Sequence, residues 1–573
     1  MTLNSALSYN VQKYSNSDFN SFLSTIAISP LNPIRDINGN YNYTFPYGLG
    51  PSGGLLLPNP VAQTELDINN SRAYRGLIKL AAEIKLLKNL TFSSSFGTDF
   101  MLNEAKEKNH PLVSIAKGYI REQTFRTANI INTNLLQYNK QWSNKHSLSV
   151  LGGQEARIEN SKFIFLSKDD ITANPDQDQL YGGNSIGAAF GNTSKQTFLS
   201  YFGQVSYGFL ERYYLSGSIR TDGSSSFGKN NRFGTYWSAG AGWLASAEPF
   251  MKPASSWLSY LKFRGSIGQA GNSAAITDRL RFDPLALVSF MNGTAVFPIE
   301  GSPGNPSIQW EQTFTWDGGV EIRLFKDRIN LIADIYTRKT KNLIAYDITA
   351  PLGTGASTLT GNIGDVKNQG IELSISAQIF RQKDFSWNIV AIWSKNQNKL
   401  TKSFVPRNTV AGTNLVNEVG YEYNSYFLPK WVGVNSENGR PQWMDSTGKP
   451  TENYYAAKPS IVGKAQPDGF GSIRNLFSYD NLSLSIDFYY QYGSQIYADS
   501  KLQNDGNMSG DPYLNQTKKP SIVGGNQEIL QIIQEDCSMV KPSHHQEQSL
   551  IRELSLPPDT YLKVILSDWQ TLD

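Results

Sequence analysis

From Thr197 onward the chain alternates apolar and polar residues one by one. In TFLSYFGQVSYGF, Leu199, Tyr201, Val205, Tyr207 and Phe209 share one face, with Ser200, Gln204 and Ser206 on the other and Phe202 the exception. After a break at Glu211-Arg212, Leu215, Gly217 and Ile219 oppose Ser216, Ser218, Arg220 and Asp222. Alternation of this length predicts β-strands with one apolar and one polar face. The short break predicts a hairpin. The segment Arg220 to Phe250, RTDGSSSFGKNNRFGTYWSAGAGWLASAEPF, follows with a glycine-rich, basic loop. Beyond it Trp237, Ala239, Ala241 and Trp243 alternate with Ser238, Gly240 and Gly242. The loop therefore joins two strands and does not open a helix.

The arrangement recurs. Phe314, Trp316, Val320, Ile322 and Leu324 oppose Thr313, Thr315, Asp317, Glu321 and Arg323. After the turn FKDR, Ile329, Leu331, Ala333 and Ile335 oppose Asn330, Asp334 and Arg338. IELSISAQI alternates in the same way, and in LSLSIDFYYQYG Leu482, Leu484, Ile486, Phe488 and Tyr490 oppose Ser483, Ser485, Asp487 and Gln491. The alternating runs are roughly ten residues long, close to what a bilayer requires of a strand. Short turns (ERY, FKDR, FRQKDFS) alternate with long connections rich in Gly, Asn, Ser, Thr or Pro, such as Ala345 to Asn368. A membrane barrel has this asymmetry between its two rims. Mid-strand charges at Asp317, Glu321, Arg323 and Asp334 require a polar face that meets water or a polar plug. Trp237, Trp243, Tyr214 and Trp387 sit near strand ends, where interfacial aromatic girdles belong.

One stretch resists the pattern. LIKLAAEIKLLK, Leu77 to Lys88, fits an amphipathic helix at least as well as a strand. A strand turning near Lys88-Asn89 into LTFSSSFGTDF is the expectation adopted here.

Composition narrows the class. Of 573 residues 39% are hydrophobic, 12% aromatic and only 18% charged, below the usual charged share of about 25%. A net charge of +3 gives no reason to expect nucleic acid. Mean hydropathy is −0.38, and no run of about 20 apolar residues is present, which excludes helical spans. Transmembrane strands remain open, because they barely move a hydropathy average. The single cysteine, Cys537, rules out an internal disulfide framework, and four histidines are few for a metal or acid–base enzyme. A large secreted sandwich or solenoid, working as a soluble glycan-binding or adhesin module, is the alternative. It requires the apolar faces to be buried between two sheets.

Several blocks carry a family resemblance. They are RTDGSSSFGKNNRFGTYWSAGAGWLASAEPFMK, WLSYLKFRGSIGQAGN, NPSIQWEQ, GGVEIRLFKDRINLIADIYTRKTKNLI and GNIGDVKNQGIELSIS, with LKNLTFSSSFGTD, VGVNSENGRPQW and FSYDNLSLSIDFYYQYGSQIY in support. In this order they resemble the C-terminal barrel of the SusC/RagA family of TonB-dependent outer-membrane transporters, from about residue 60 to about residue 500. The resemblance implies import of large nutrients, typically oligosaccharides or peptides, across the outer membrane. It also implies a SusD-like surface lipoprotein as a lid and an inner-membrane TonB complex acting on an N-terminal plug. The fold expected is an all-β, antiparallel transmembrane β-barrel, incomplete, with roughly 12 to 16 of the family's strands (about 22) and no plug domain.

At both ends the sequence departs from that family. MTLNSALSYNVQKYSN has neither the basic nor the apolar region of a signal peptide, and Met1 already reads as barrel. The expected division is a partial barrel over residues 1–520 and an aberrant tail over 521–573. Codons can be chosen for Asp559 to Trp569 that, read two bases later, encode a barrel-like strand, which suggests a frameshift in or before the tail. On that view the chain is a fragment of a transporter, or the nonfunctional product of a disrupted gene.

No enzymatic constellation emerges. GLGPSGG, Gly48 to Gly54, has a GxGxxG spacing, but the following LLLPNP prevents the helix a dinucleotide site needs. The loop with Lys229, Asn230, Asn231 and Arg232 lacks the GK[ST] spacing of a phosphate cradle. Asp176 and Asp178 in NPDQDQ could converge on calcium, yet no glutamate follows at the EF-hand spacing. The His544-His545 pair lies in the divergent tail and reads as an accident. No Ser/His/Asp set has a defensible spacing, and no cofactor is expected. The ligand-contacting candidates are the loop aromatics Tyr421, Tyr423, Tyr426, Trp431 and Trp443, because a sugar's apolar face stacks on a π-surface. Girdle or loop packing is the competing role for the same residues.

Overall fold

The computed structural model describes residues 2–13, 28, 32–47, 55–113, 117–171, 179–273, 285–290, 293–298, 305, 307–349, 358–404, 407–410, 413–497 and 560–568. Its main body is one antiparallel sheet of sixteen strands, each hydrogen-bonded to the next in chain order. The strands are β1 (Thr2–Lys13), β2 (Ile68–Leu87), β3 (Leu90–Asn109) and β4 (Tyr119–Trp142). Then come β5 (His146–Ile171), β6 (Gly183–Phe209), β7 (Tyr213–Ser224), β8 (Phe233–Leu244), β9 (Leu258–Asn272) and β10 (Glu311–Leu324). The rest are β11 (Ile329–Thr349), β12 (Thr358–Arg381), β13 (Phe385–Ser403), β14 (Gly469–Tyr479), β15 (Leu482–Tyr492) and β16 (Thr560–Asp568). The sheet ends on β1 and β16, and no pairing between those two is seen among the described residues. This is an incomplete antiparallel barrel wall, at the upper end of the strand number expected.

Connections alternate by rim. On one rim the chain turns within 88–89, 143–145, 210–212, 325–328, 382–384 and 480–481, with 245–257 the one longer link. The opposite rim carries 14–67, 110–118, 172–182, 225–232, 273–310, 350–357, 404–468 and 493–559. The tight turns use left-handed backbone. Leu210 and Glu211 both have φ of +55°, and Asn144 and Asp480 have +49° and +50°. Positive φ at a hairpin's central residues matches the twist of the flanking strands.

Cross-strand register sorts every strand into two faces. One continuous row runs Val205, Gly217, Ala239, Ile267, Trp316 across β6 to β10. Another runs Ile335, Ile371 and Lys395 across β11 to β13. On this face Leu215 and Ile219 are 59% and 58% exposed, and no second sheet covers them among the described residues. The sandwich alternative needed that cover, and the structure overturns it. The opposite face holds the charges and hydroxyls, such as the Ser218–Ser238 hydroxyl pair at 2.6 Å. An exposed apolar face and a hydrogen-bonded polar face on one sheet fit a barrel with lipid outside and water inside.

Three expectations are corrected, and the ambiguous stretch Leu77 to Lys88 is resolved as expected. The strands are not about ten residues long; β5 and β6 run to 26 and 27 residues. Their upper halves place Asn160, Lys162, Thr193 and Lys195 on the outward face, which breaks the apolar alternation while pairing continues and Ile164 and Leu166 follow on the same face. For the same reason Ala345 to Asn368 is mostly strand, belonging to β11 and β12. Leu77 to Lys88 contains no helix, since all but its last residue lie in β2, and the turn at Lys88-Asn89 is as expected. Finally, Tyr214 faces inward beneath Lys262, and its neighbour Tyr213 takes the girdle position beside Phe209 and Trp243.

Candidate functional site

The inner wall is built from charge pairs that the strand register brings together. Arg264 on β9 donates two bonds to Asp334 on β11, at 2.7 Å each, across the intervening β10. Arg323 pairs with Glu321 at 2.7 Å, Arg474 with Asp487 at 2.6 Å and Arg75 with Asp99 at 2.6 Å. Arg220 reaches Asp222 at 2.5 Å and Glu155 at 3.6 Å, and Asp317 accepts a hydrogen bond from Ser266. The mid-strand charges expected to meet water or a polar filling therefore neutralise one another along the wall. Low on this face lies a cavity of about 1020 Å³, bordered by Ser149, Ser206, Ser216, Gly240, Lys262 and Arg264. Small side chains keep the space open, and Lys140, Lys262 and the Asp334-paired Arg264 line it.

At the long-loop rim, apolar packing reappears on the inner side. Phe227, from the glycine-rich loop between β7 and β8, stacks on Trp310 at 4.4 Å and is fully buried with Tyr236, Ile308 and Ile344. Asn231 donates to the carbonyls of Ser307 and Ile308, and Trp310 Nε1 donates to the Arg232 carbonyl at 3.4 Å. Its phenylalanine anchors the loop to the segment preceding β10, and the Asn231 side chain and Arg232 carbonyl complete the clasp.

The connection 404–468 holds all five expected aromatics, Tyr426, Trp431 and Trp443 on two small sheets and Tyr421 and Tyr423 in the turn between Glu418 and Ser425. The first sheet pairs Arg407–Thr409, Leu415–Glu418, Ser425–Pro429 and Pro459–Lys464. Tyr426 sits within it, opposite Leu415 and Gly463. Tyr421 is half-exposed where its carbonyl takes the Leu400 amide. Tyr423, fixed by its amide to Asn398 Oδ1 at 2.9 Å, has its phenol pushed up by burial and by the nearby Glu311 carboxylate.

The second sheet pairs Trp431–Val434, Pro441–Met444 and Pro450–Thr451. There Trp431 and Trp443 are register partners, with ring centroids 6.0 Å apart and edge to face. The structure adds Tyr454, 5.2 Å from Trp443, and Tyr455, which is 96% exposed. The five thus divide into a tyrosine set, with Tyr421 its most exposed member, and a half-buried tryptophan pair. Sequence reasoning missed Tyr454 and Tyr455; their adjacency to Trp443 depends on the turn through Pro450, although the Tyr-Tyr doublet was visible. Glu452 braces this module. The side-chain amides of Asn438 and Asn435 donate to it at 2.8 and 2.6 Å and, with Arg440, hold its carboxyl below the usual range.

Gly48 to Gly54, Asp176, Asp178, Cys537 and His544-His545 lie outside the described residues. Among the described residues no group of three or more His, Cys, Asp or Glu is placed to hold a metal.

Comparison with known proteins agrees with this architecture. The family model "TonB dependent receptor-like, beta-barrel" matches residues 5–489. The chain is 27% identical over 500 residues to TonB-dependent receptor P39 of Formosa agariphila, covering 77% of this chain and 47% of that protein. It is 27% identical over 532 residues to TonB-dependent receptor SusC of Bacteroides thetaiotaomicron, covering 84% and 51%. It therefore spans about half the length of the curated relatives it matches. Among solved structures, the RagAB peptide transporter superposes with a TM-score of 0.78 at 23% identity, over 90% of this chain and 59% of that one. Two-faced strands, one-sided loops and a family match across most of the sequence converge, and the chain belongs to the TonB-dependent receptor β-barrel family.

Proposed function

We propose that this chain is wall and mouth of an importer that carries oligosaccharides or peptides across the outer membrane. A SusD-like lipoprotein would close the long-loop rim, and a TonB complex would act through a plug seated against the charged inner wall. The observation that carries this reading is the division of the sheet: an apolar outer face, a paired polar inner face, and extended loops on one rim only. The relatives point the same way, since the RagAB structure is described as a peptide transporter. Within the mouth, Trp431 and Trp443 with Tyr454 and Tyr455 form the surface on which a sugar or an apolar peptide side chain would stack, and Tyr421, Tyr423 and Tyr426 shape the loop beneath it. No covalent step belongs to this function. The remaining wall and the plug would come from the rest of a longer protein, and residues 521–573 would be a departure from its reading frame.

Uptake in cells tests the proposal. A strain whose only copy is the complete gene containing this chain should accumulate labelled oligosaccharides or oligopeptides, and lose that uptake when TonB is removed. Replacing Trp431 and Trp443 together by Ala should reduce uptake at least about ten-fold, as expected when stacking worth about 1–1.5 kcal/mol is lost. Uptake of neither class in cells with the protein assembled would contradict the reading.

A further inference from the structure

Above the apolar belt, the outward face of three adjacent interior strands carries lysines in direct register. Lys339 on β11 lies opposite Lys367 on β12, and Lys367 lies opposite Lys399 on β13. Lys341 and Lys395 flank this row on the same face. Two rows below, Ile335 and Ile371 begin the apolar belt, so the ammonium groups stand where the belt ends. None of the five forms an ion pair among the described residues. The carboxylates at this end of the three strands are Asp347 on β11 and Asp365 on β12, and Asp365 accepts the Asn342 amide and sits opposite Lys402.

Like charges directly opposite one another destabilise a sheet, so an anionic counterpart would stabilise this row. Elsewhere around the wall the outward face holds opposite charges in register, and one further like-charged pair, Arg126 opposite Lys162 on β4 and β5. Arg72 faces Glu104 and Lys106 faces Glu122 on β2 to β4. Edge protection does not account for the lysines, because β11 to β13 are all interior strands.

We propose that Lys339, Lys367 and Lys399, with Lys341 and Lys395, form a binding site for the phosphate groups of lipid headgroups in the outer leaflet. This rests on reading the chain as a membrane wall. Lysine stems can lie along the apolar surface while their ammonium groups reach the headgroup plane. A row of three, with strands about 4.8 Å apart, suits one phosphorylated headgroup bridging neighbouring ammonium groups. The charge complementarity and the position at the belt's edge favour a lipid over an acidic protein partner.

The test uses the complete protein that contains this chain, purified from outer membranes and placed in nanodiscs. Each disc contains either a phosphorylated glycolipid or the same lipid enzymatically dephosphorylated, and retained lipid is counted by native mass spectrometry. The wild type should retain the phosphorylated form selectively, and inorganic phosphate should not displace it. K339Q/K367Q/K399Q should retain about a hundred-fold less, at about five-fold per lysine. Neutralising Arg72 and Lys106 instead should change little. Folding of each variant is checked by heat-dependent gel mobility, and glutamine relieves the like-charge repulsion. Equal retention by the triple variant would overturn the proposal, as would full competition by inorganic phosphate, which marks a free-anion site. Binding of an acidic protein in place of lipid would overturn it too. A wild type that stays folded and soluble without detergent or lipid would refute the membrane wall itself, a result distinct from a membrane-inserted barrel that ignores phosphate.

Discussion

The two faces of this wall are made by the same strands, often by successive residues, yet they solve opposite problems. Ile219 points out and is 58% exposed, while Ser218 beside it points in and shares a hydrogen bond with Ser238. Outward, no polar group can count on water, so side chains from Trp243 to Trp237 on β8 and from Ile329 to Ile335 on β11 are apolar or small. Inward, charge is abundant and locally balanced, as in Arg264 with Asp334. The difference teaches that burial is not the organising quantity here. Both faces are accessible in the isolated chain, and only the chemistry of the accessible atoms distinguishes lipid from water.

The largest expected effect comes from the place where the contrast is suspended, the apolar clasp inside the mouth. Phe227→Ala should cost about 3–5 kcal/mol of local docking energy and free the glycine-rich loop from Trp310. Limited proteolysis should then cut between Ser224 and Phe233 many times faster, with the barrel intact. Next, Ile219→Arg should cost about 2–4 kcal/mol near the bilayer midplane and lower the folded, heat-modifiable fraction. Ser218→Lys, one residue away, should leave assembly within about 0.5 kcal/mol of wild type. Smaller still, Arg264→Ala should cost no more than about 1 kcal/mol, because the pair is partly solvated. Much of that loss should vanish in an Asp334→Asn background, measured as a double-mutant cycle.

The smallest effect is a pH dependence at the short-turn rim. Glu248 accepts hydrogen bonds from the Tyr213 hydroxyl at 2.6 Å and from Trp243 Nε1 at 3.2 Å, and it pairs with Arg212 at 3.3 Å. Led by the Tyr213 bond, these partners hold its carboxyl below the usual glutamate range. A carboxyl depressed in the folded state stabilises above its unfolded pKa and loses that contribution as pH falls through the folded value. The Tm difference between wild type and Glu248→Gln should therefore shrink as pH drops from about 6 to about 3. A difference that grows on acidification would remove Glu248 from this role.

Much of this wall was legible in the sequence because period two is a local signal. The faces of β6 to β8, of β10 to β12 and of β15, and the turns at Glu211-Arg212, Lys88-Asn89 and 325–328, needed only neighbouring residues. What failed was whatever depended on register. The length of β5 and β6 was missed because their upper halves mix polar residues such as Asn160, Lys162, Thr193 and Lys195 with the run Phe163 to Leu166, and no clean alternation marks them. Tyr214 was placed in the girdle because either of two adjacent tyrosines satisfies a rule about strand ends. The lysine row was invisible because its members are 28 and 32 residues apart and meet only through pairing. In the mouth, Trp431 and Trp443 were found as aromatics in one long connection, but their pairing and the projection of Tyr455 required the fold of 404–468.

Residues 521–573 bear on the account through DNA as well as protein. Sequencing the gene in all three frames around the codons for Lys519 to Asp573 should reveal barrel-like text after a single shift, with plug-encoding sequence upstream. Stop codons in the shifted frames would end the frameshift idea, although β16 still pairs in register with β15 over Thr560–Asp568.

The most direct test of the central claim is to ask which face of β7 meets lipid. Ser218→Cys and Ile219→Cys, each made in the complete protein with Cys537 replaced by Ser, would carry a fluorescent label in bilayers containing nitroxide lipids. The account predicts strong quenching at 219 by the lipid nitroxide and little at 218, with the order reversed for a water-soluble quencher. Equal lipid quenching at both positions, or stronger quenching at 218, would contradict it.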